Sequence, residues 1–301
     1  MLNDLIFSDP KESYTIQQVS SLSYEEFVNQ YLKLCQPVII KDATDQWQAH
    51  EAWSFSFFRD KYTTQRIKID GRAYKFSEFI DLVLKKDGKS PYLRETNIPI
   101  FFPELMEYLQ PDISYTLPNR LKNKLLPKVL ERSWGMRKGM VELLIGGEGS
   151  GFPFLHYDLF KSHGFVTQIC GDKEFYLYSP SDSEYLYPKS TQRDVSSIQN
   201  IENPDLQEFP LFAEAKQIKV LVREGESIFI PSGWWHTTKV ITPSIAVLVN
   251  FMNDDKWTSF IHESYWYYHS HKPFKREALR IYLYLIGILM SFYEWFRKRL
   301  F

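Results

Sequence analysis

Cysteine is almost absent from this 301-residue chain: Cys35 and Cys170 are the only two. Both sit in apolar runs, which excludes a disulfide framework as the basis of the fold and suits free thiols in a reducing compartment. Net charge is nearly absent too. Lys and Arg number 36 against 37 Asp and Glu, and the signs are mixed along the chain, so no basic footprint for DNA exists. The start, Met1-Leu2-Asn3-Asp4, lacks the basic and apolar regions of a secretory leader, and the expected location is cytoplasmic. Long hydrophobic runs are missing with one exception. The uncharged stretch from Ile281 to Tyr293 falls short of the ~20 residues that cross a bilayer and is rich in tyrosine, so membrane contact is the minor expectation.

Aromatic residues, by contrast, are plentiful, with 23 Phe and 19 Tyr, as a large core requires. The length exceeds that of most single domains, but a β-barrel or sandwich with helical additions fills it as one unit. Three regions are expected: helices and strands over 1–133 that extend and pack on a core, the core at 134–253, and helices over 254–301.

The first segment to about Ser21 is polar and reads as irregular. Ser23 and Glu26 fit a capping box that opens a short helix, and Pro37 to Ile40 reads as a strand. Helices are expected from Trp53, over Phe76 to Leu84, and from Pro103, with a strand at Pro91 to Arg94. The basic stretch from Asn119 to Arg132 reads as a solvated loop and helix. From Trp134 to Met252 the apolar runs are short, β-rich and punctuated by Gly and Pro, the pattern of a mainly β protein with a double-stranded β-helix, or jelly-roll, core. Val141 to Ile145 is one such run. Phe165 to Ile169, the turn Gly171-Asp172 and Lys173 to Tyr178 read as a hairpin. The insertion Ser181 to Gln217 is longer than compact domains tolerate without a purpose, so a functional loop is expected there.

The chemistry centres on Phe154-Leu155-His156-Tyr157-Asp158. On a strand alternate side chains share a face, so His156 and Asp158 would point together while Tyr157 packs behind. A third ligand, His236 in Ile230-Pro231-Ser232-Gly233-Trp234-Trp235-His236, would complete two imidazoles and one carboxylate, the facial set that holds non-haem Fe(II) with positions left open. The other histidines, His50, His163, His262, His269 and His271, have no comparable setting. Lys173 stands on a predicted strand with Phe175 and Leu177 at period two. A lysine on an inward face is costly unless it snorkels to water or meets an anion.

His156-Tyr157-Asp158, Gln168-Ile169-x-Gly171-x-Lys173, Tyr178-Ser179-Pro180, Gly225-Glu226-x-Ile228-Phe229-Ile230-Pro231-x-x-Trp234-Trp235-His236 and Val249-Asn250-Phe251 together resemble the cupin-like JmjC hydroxylases, and among them the asparaginyl hydroxylases. The resemblance runs from about Pro37 onward. It implies Fe(II) held by His156, Asp158 and His236, and 2-oxoglutarate as co-substrate, with its distal carboxylate on Lys173 and Tyr92 and its chelating end near Asn250. It also implies oxidative decarboxylation to succinate coupled to hydroxylation of a C–H bond. Aspartate rather than glutamate at 158 favours hydroxylation over N-methyl-lysine demethylation, and Lys173, Tyr92 and Asn250 beside the metal ligands speak against the alternative of a metal-binding cupin without turnover.

There are departures from the family pattern. Pro153 stands where a threonine is expected, Gly164 where an asparagine is, Arg94 where a glutamine follows Tyr-Leu, and Met252 where tryptophan follows Asn-Phe. Two extra residues also separate Asp158 from the next strand. The family further implies a polypeptide substrate and a homodimer through C-terminal helices, for which Ile281, Leu285, Ile288, Leu289 and Phe292 form an apolar stripe. The Arg-Gln pair that reads a target asparagine is not in register. Val195 and Ser196 fall there, with Arg193 nearby, so a residue other than asparagine is expected as target, with a small molecule or a tRNA base as rival substrates.

Overall fold

A computed structural model of the chain describes residues 15–85, 88, 90–128, 130, 136, 140–268 and 272–300, with side chains to 296. The segment before residue 15, the expected boundary at 133/134, and His269 and His271 lie outside the described residues.

Among the described residues, twelve strands carry the fold. β1 (Gln17–Val19), β2 (Val38–Ile40), β5 (Leu93–Asn97), β6 (Val141–Gly146), β7 (His163–Cys170), β10 (Ser227–Ile230) and β12 (Ser244–Phe251) form a seven-stranded sheet in the order β1-β2-β10-β7-β12-β6-β5. β8 (Lys173–Tyr178), β9 (Ile218–Val222) and β11 (Trp235–Val240) form a second sheet in the order β11-β8-β9. The segment from Gly151 to His156 lies along β11 through bridges at Gly151–Lys239 and His156–His236, as a fourth member of that sheet. β3 (Arg66–Ile69) and β4 (Arg72–Lys75) make a separate ribbon.

Period-two alternation builds the two faces of the large sheet. Leu144, Val166, Ile228 and Ala246 point inward and meet Phe175, Leu177 and Val240 of the small sheet, while Leu143, Phe165, Phe229 and Val247 point outward into a core of helical aromatics. This is the jelly roll the sequence predicts.

The expected hairpin at Gly171-Asp172 is instead a corner between the sheets. β7 hydrogen-bonds to β10 and β12, whereas β8 pairs with β11 and β9. Gly171 takes a left-handed φ of 67°, and a side chain there would collide with the Pro243 carbonyl.

Ser23 opens α1 (Tyr24–Phe27) with the expected reciprocal capping box to Glu26, and its buried Phe27 packs against Phe165 and Phe229. α2 (Ala49–Ala52), α3 (Phe55–Lys61), α4 (Phe76–Val83) and α5 (Ile98–Phe101) cover the outer face of the large sheet. The stretch before β1 was expected to stay irregular as far as Ser21, but Gln17–Val19 pairs in parallel with β2.

The basic stretch after Asn119 is solvated only in part: Lys124 and Lys128 are exposed, but its start and Leu121, Leu126 and Leu130 are not. Asn119, Arg120, Leu121 and Leu126 are buried, and Leu121, Leu126 and Leu130 share a cluster with α6 (Trp257–Tyr267) and α7 (Pro273–Leu300). The Arg120 side chain, 1% exposed, reaches Asp254 at 2.6 Å and Glu294 at 2.7 Å, and so ties the terminal helix to the barrel. Within that joint the Trp257 indole donates to the Leu283 carbonyl, and a Cβ on Gly287 would meet the same indole at 2.3 Å. Only glycine lets α6 and α7 approach so closely.

α7 has two faces. Leu283, Ile286 and Met290 are buried, while Ile281, Leu285, Ile288, Leu289 and Phe292 are all more than half exposed. By length and composition Pro273–Phe296 is long and apolar enough to cross a membrane, with 22% of its most apolar window buried.

Candidate metal centre

Each ligand candidate is placed by a different piece of backbone. His236 is the second residue of β11, on the inner face of the small sheet. His156 is not on a regular strand, contrary to the sequence expectation. It is fixed by two isolated bridges: its N–H donates to the His236 carbonyl at 3.0 Å and the His236 N–H donates back, and Val195 pairs from the other side. Two residues on, Asp158 precedes a tight turn over Leu159–Lys161.

The result is one cluster. Ligand atoms of His156, Asp158 and His236 all lie within 4.8 Å of one another, the His236 Nε2 is 3.8 Å from an Asp158 oxygen, and the two imidazole centroids are 4.4 Å apart.

Hydrogen bonding orients both rings for a metal. The Nδ1 of His156 lies 3.2 Å from the Phe154 carbonyl and that of His236 lies 3.1 Å from the Trp234 carbonyl. A carbonyl can only accept, so each Nδ1 carries the proton and each Nε2 keeps its lone pair free. Burial, and then the neighbouring His236, hold the His156 ring well below the usual histidine range, so it is neutral. Burial pushes Asp158 up, against the pull of His236 and Asn250. Its Oδ2 is buried with no hydrogen-bond partner, an orphaned acceptor that a divalent cation would satisfy.

The co-substrate candidates converge on the same interior. Lys173, the first residue of β8, is fully buried, and its ammonium donates to the Tyr92 hydroxyl at 2.9 Å. Burial alone pulls it from the ordinary 10.5 to about 7. A cavity of about 30 Å³ joins the two ends: Tyr92 and Lys173 line it together with His156, Asp158 and His236. Asn250 lies beside Asp158 and donates to the Ser162 hydroxyl at 3.2 Å, while Asn119 in turn donates to the Asn250 carbonyl.

Two of the departures have steric causes. Gly164 sits under the metal ligand: a Cβ there would lie 2.6 Å from Asp158 Oδ2, so no larger residue fits without moving the carboxylate. The extra residues after Asp158 include Phe160 and Lys161 in left-handed conformations, and Phe160 is driven into α6 against Phe260.

Other candidates fall away from the centre. His163 is fully buried, accepts at Nδ1 from the Ser232 N–H, stacks on Phe251 and is depressed to about 3 by burial, as a core histidine. Arg193 lies over Trp266 and 3.6 Å from Glu263. Val195 and Ser196 are buried in the insertion, which packs Leu186, Ile198 and Phe212 against Tyr157 and Trp235. Those side chains buttress His156 from behind, while more than half of the insertion is exposed.

Sequence reasoning missed Phe152, which stacks on His156 with centroids 4.1 Å apart. It also missed Glu142, on the inner face of β6, whose carboxyl feels the Asp158 charge. A charge inside the apolar run Val141 to Ile145 was the available signal for Glu142.

A barrel of this topology with two histidines and an aspartate at its mouth defines a cupin. Residues 24–257 match the family described as the cupin-like domain, and the chain belongs to that family. It is similar to an arginine-specific demethylase of Arabidopsis thaliana, 26% identical over 261 residues, covering 77% of this chain and 55% of that protein. It is also similar to lysine-specific demethylase 8 of Xenopus tropicalis, 26% identical over 239 residues, covering 75% and 50% respectively. A shorter match, 39% identical over 95 residues, covers 32% of this chain and 28% of the human tRNA wybutosine-synthesizing protein 5. The chain thus spans little more than half of these relatives at most.

Proposed function

We propose that this chain is an Fe(II)- and 2-oxoglutarate-dependent oxygenase that hydroxylates a C–H bond of a polypeptide side chain. The observation that carries the oxygenase reading is Lys173. A fully buried ammonium with a phenol as its hydrogen-bond partner is an unpaired charge in a low-dielectric interior, and it shares a cavity with a His-Asp-His cluster. A dicarboxylic 2-oxo acid matches that arrangement, with one carboxylate for Lys173 and Tyr92 and a chelating end for the metal.

Fe(II) and 2-oxoglutarate, when bound, supply an oxidant for C–H bonds. The protein does the rest. His156 and His236 offer Nε2 with tautomers already set by Phe154 and Trp234. Asp158 offers charge, held in place by Asn250. Leu144, Val166 and Phe175 line the cavity with apolar surface and exclude water. Incubation with Fe(II), 2-oxoglutarate and ascorbate tests this, with substrate-dependent succinate release as the expected outcome.

A polypeptide substrate is supported by the demethylase relatives, which cover most of this chain, while the tRNA-modifying relative matches under a third of it. No Arg-Gln pair stands ready for an asparagine amide, since Val195 and Ser196 occupy those places as buried scaffold, and the target is a residue other than asparagine. Peptide libraries, free amino acids and tRNA compared as stimulants of succinate release decide among the classes. We assign the exposed apolar face of α7 to a homodimer. Light scattering tests this, and a monomer at micromolar concentration contradicts it.

A further inference from the structure

The metal cavity is too small for the co-substrate assigned to it. Its volume is about 30 Å³, room for roughly two water molecules at ~10–15 Å³ each, whereas pockets for small organic ligands run from roughly 300 to 1,000 Å³. A dicarboxylic 2-oxo acid therefore enters only if part of the wall gives way. Most of that wall is fixed. Tyr92, Leu144, Val166 and Phe175 are buried in the packing between the two sheets. Four wall residues are part-exposed: Phe152, His156, Thr238 and Leu248. His156 is a ligand candidate, Thr238 is laddered to Phe175, and Leu248 is laddered to both Glu142 and Val166. Phe152 alone of the four is neither a ligand candidate nor part of a regular strand.

Phe152 also has somewhere to go. A cleft of about 250 Å³ runs between the segment from Gly149 to Leu155 and residues Gln199 to Glu202 of the insertion, and Phe152 and Thr238 line both this cleft and the metal cavity. The backbone of Phe152 is tied down. Its N–H donates to the Thr238 carbonyl at 3.2 Å and its carbonyl accepts from the Thr237 hydroxyl at 2.9 Å, so movement falls to the ring, which turns between rotamers about its own side-chain bonds. The ring is held by contacts that break singly: it stacks on His156 with centroids 4.1 Å apart, meets Phe154 edge-on at 5.0 Å, and has the Arg94 guanidinium 5.7 Å from its centre. Each of these is a modest attraction at a partly exposed site.

We propose that Phe152 is the gate of the co-substrate pocket: its ring, lying on His156, closes the metal cavity off from the cleft, and 2-oxoglutarate passes through the cleft when the ring swings away. The assignment rests on the 2-oxoglutarate reading above and makes Phe152 a residue that sets the rates of binding more than its strength.

A gate leaves a kinetic mark. Where ring opening limits entry, the observed binding rate levels off as 2-oxoglutarate is raised, and removing the ring speeds entry and exit together. The test is stopped-flow binding of 2-oxoglutarate to the Mn(II)-loaded protein, followed by intrinsic tryptophan fluorescence, with the equilibrium affinity measured by calorimetry; neither readout needs turnover. The wild type is expected to reach a plateau. Phe152→Ala is expected to abolish it and to raise the association and dissociation rate constants by about tenfold or more each, while Kd moves by less than about threefold. Phe152→Leu falls between the two. A rate that rises linearly with 2-oxoglutarate in the wild type overturns the gate and leaves the 2-oxoglutarate reading standing. So does an association rate unchanged in Phe152→Ala, and a Kd weakened through dissociation alone makes Phe152 plain packing on His156. Failure of the metal-loaded wild type to bind 2-oxoglutarate overturns both. Should Phe152→Ala fail to fold, the wild-type plateau decides.

Discussion

Arg120 and Lys173 are the two buried cations among the described residues, and the chain treats them in opposite ways. Arg120 is saturated. Its Nε and one terminal nitrogen donate to the two oxygens of Glu294, Ser291 accepts another hydrogen bond, and Asp254 closes the set. Lys173 donates to the single hydroxyl of Tyr92. Desolvating either charge costs several kcal/mol, and only for Arg120 does the chain supply the compensating carboxylates. The difference separates a charge that holds structure together from the one we assign to the co-substrate. It also explains where each sits: Arg120 at the joint between the barrel and α7, Lys173 inside the barrel near the metal candidates.

The sharpest way to break this comparison is at the metal. Asp158→Ala is expected to abolish turnover and leave the unfolding midpoint unchanged or raised, because it removes an orphaned buried acceptor and a carboxylate that repels Glu142. Turnover assays and denaturant melts on one preparation check both halves. Next in size is Arg120→Ala, which leaves Glu294 unpaired and loosens α7. A loss of about 3 kcal/mol in unfolding free energy is expected, with the 2-oxoglutarate KM of the folded fraction unchanged. A large change in KM with little loss of stability would erase the distinction between the two cations.

Lys173→Ala should do the converse. The apparent 2-oxoglutarate requirement rises by about tenfold or more, since a buried carboxylate loses its counter-charge, while metal binding followed by calorimetry persists. An unchanged requirement would return Lys173 to a structural role. The smallest expected effect is on pH. In the free protein Lys173 loses its proton near 7 rather than at its ordinary 10.5, and the neutral amine holds a carboxylate poorly. Affinity for 2-oxoglutarate therefore falls as pH rises above about 7, with proton uptake on binding. Across the window from about 7 to 10.5 the unfolded chain holds the proton that the folded one has lost, so this group makes the ligand-free protein more stable as pH rises. Calorimetry in buffers of different ionisation enthalpy measures the uptake.

The sequence made Lys173 visible and Arg120 invisible, and the reason is range. Lys173 stands at period two among Phe175 and Leu177, so an inward charge could be read from its immediate neighbours. Arg120 finds its acids 134 and 174 positions away, at Asp254 in the bend before α6 and Glu294 in α7, in packing that no local pattern encodes, and its stretch read as solvated. The metal ligands were legible because His156 and Asp158 are two residues apart and His236 follows an unusual Trp-Trp pair. Even so, the geometry that aligns them is a pair of isolated backbone bridges rather than the expected strand.

The hairpin expected at Gly171-Asp172 failed because the same glycine turn serves a corner between sheets, and only the partner strands tell the two apart. The Ser181 to Gln217 insertion reads from its length as a functional loop; its buried Leu186, Ile198 and Phe212 form a buttress, while the exposed Gln199, Asn200 and Glu202 line a cleft with Phe152 and Phe154.

The measurement closest to the central claim is the conversion of 2-oxoglutarate to succinate by the purified protein, with and without Fe(II) and dioxygen, beside His236→Ala. The account predicts succinate from the wild type only when both are supplied, stimulated by the substrate, and none from His236→Ala. Equal succinate from the variant, or none from correctly folded, Fe(II)-loaded wild type under any of the substrate classes, would contradict it.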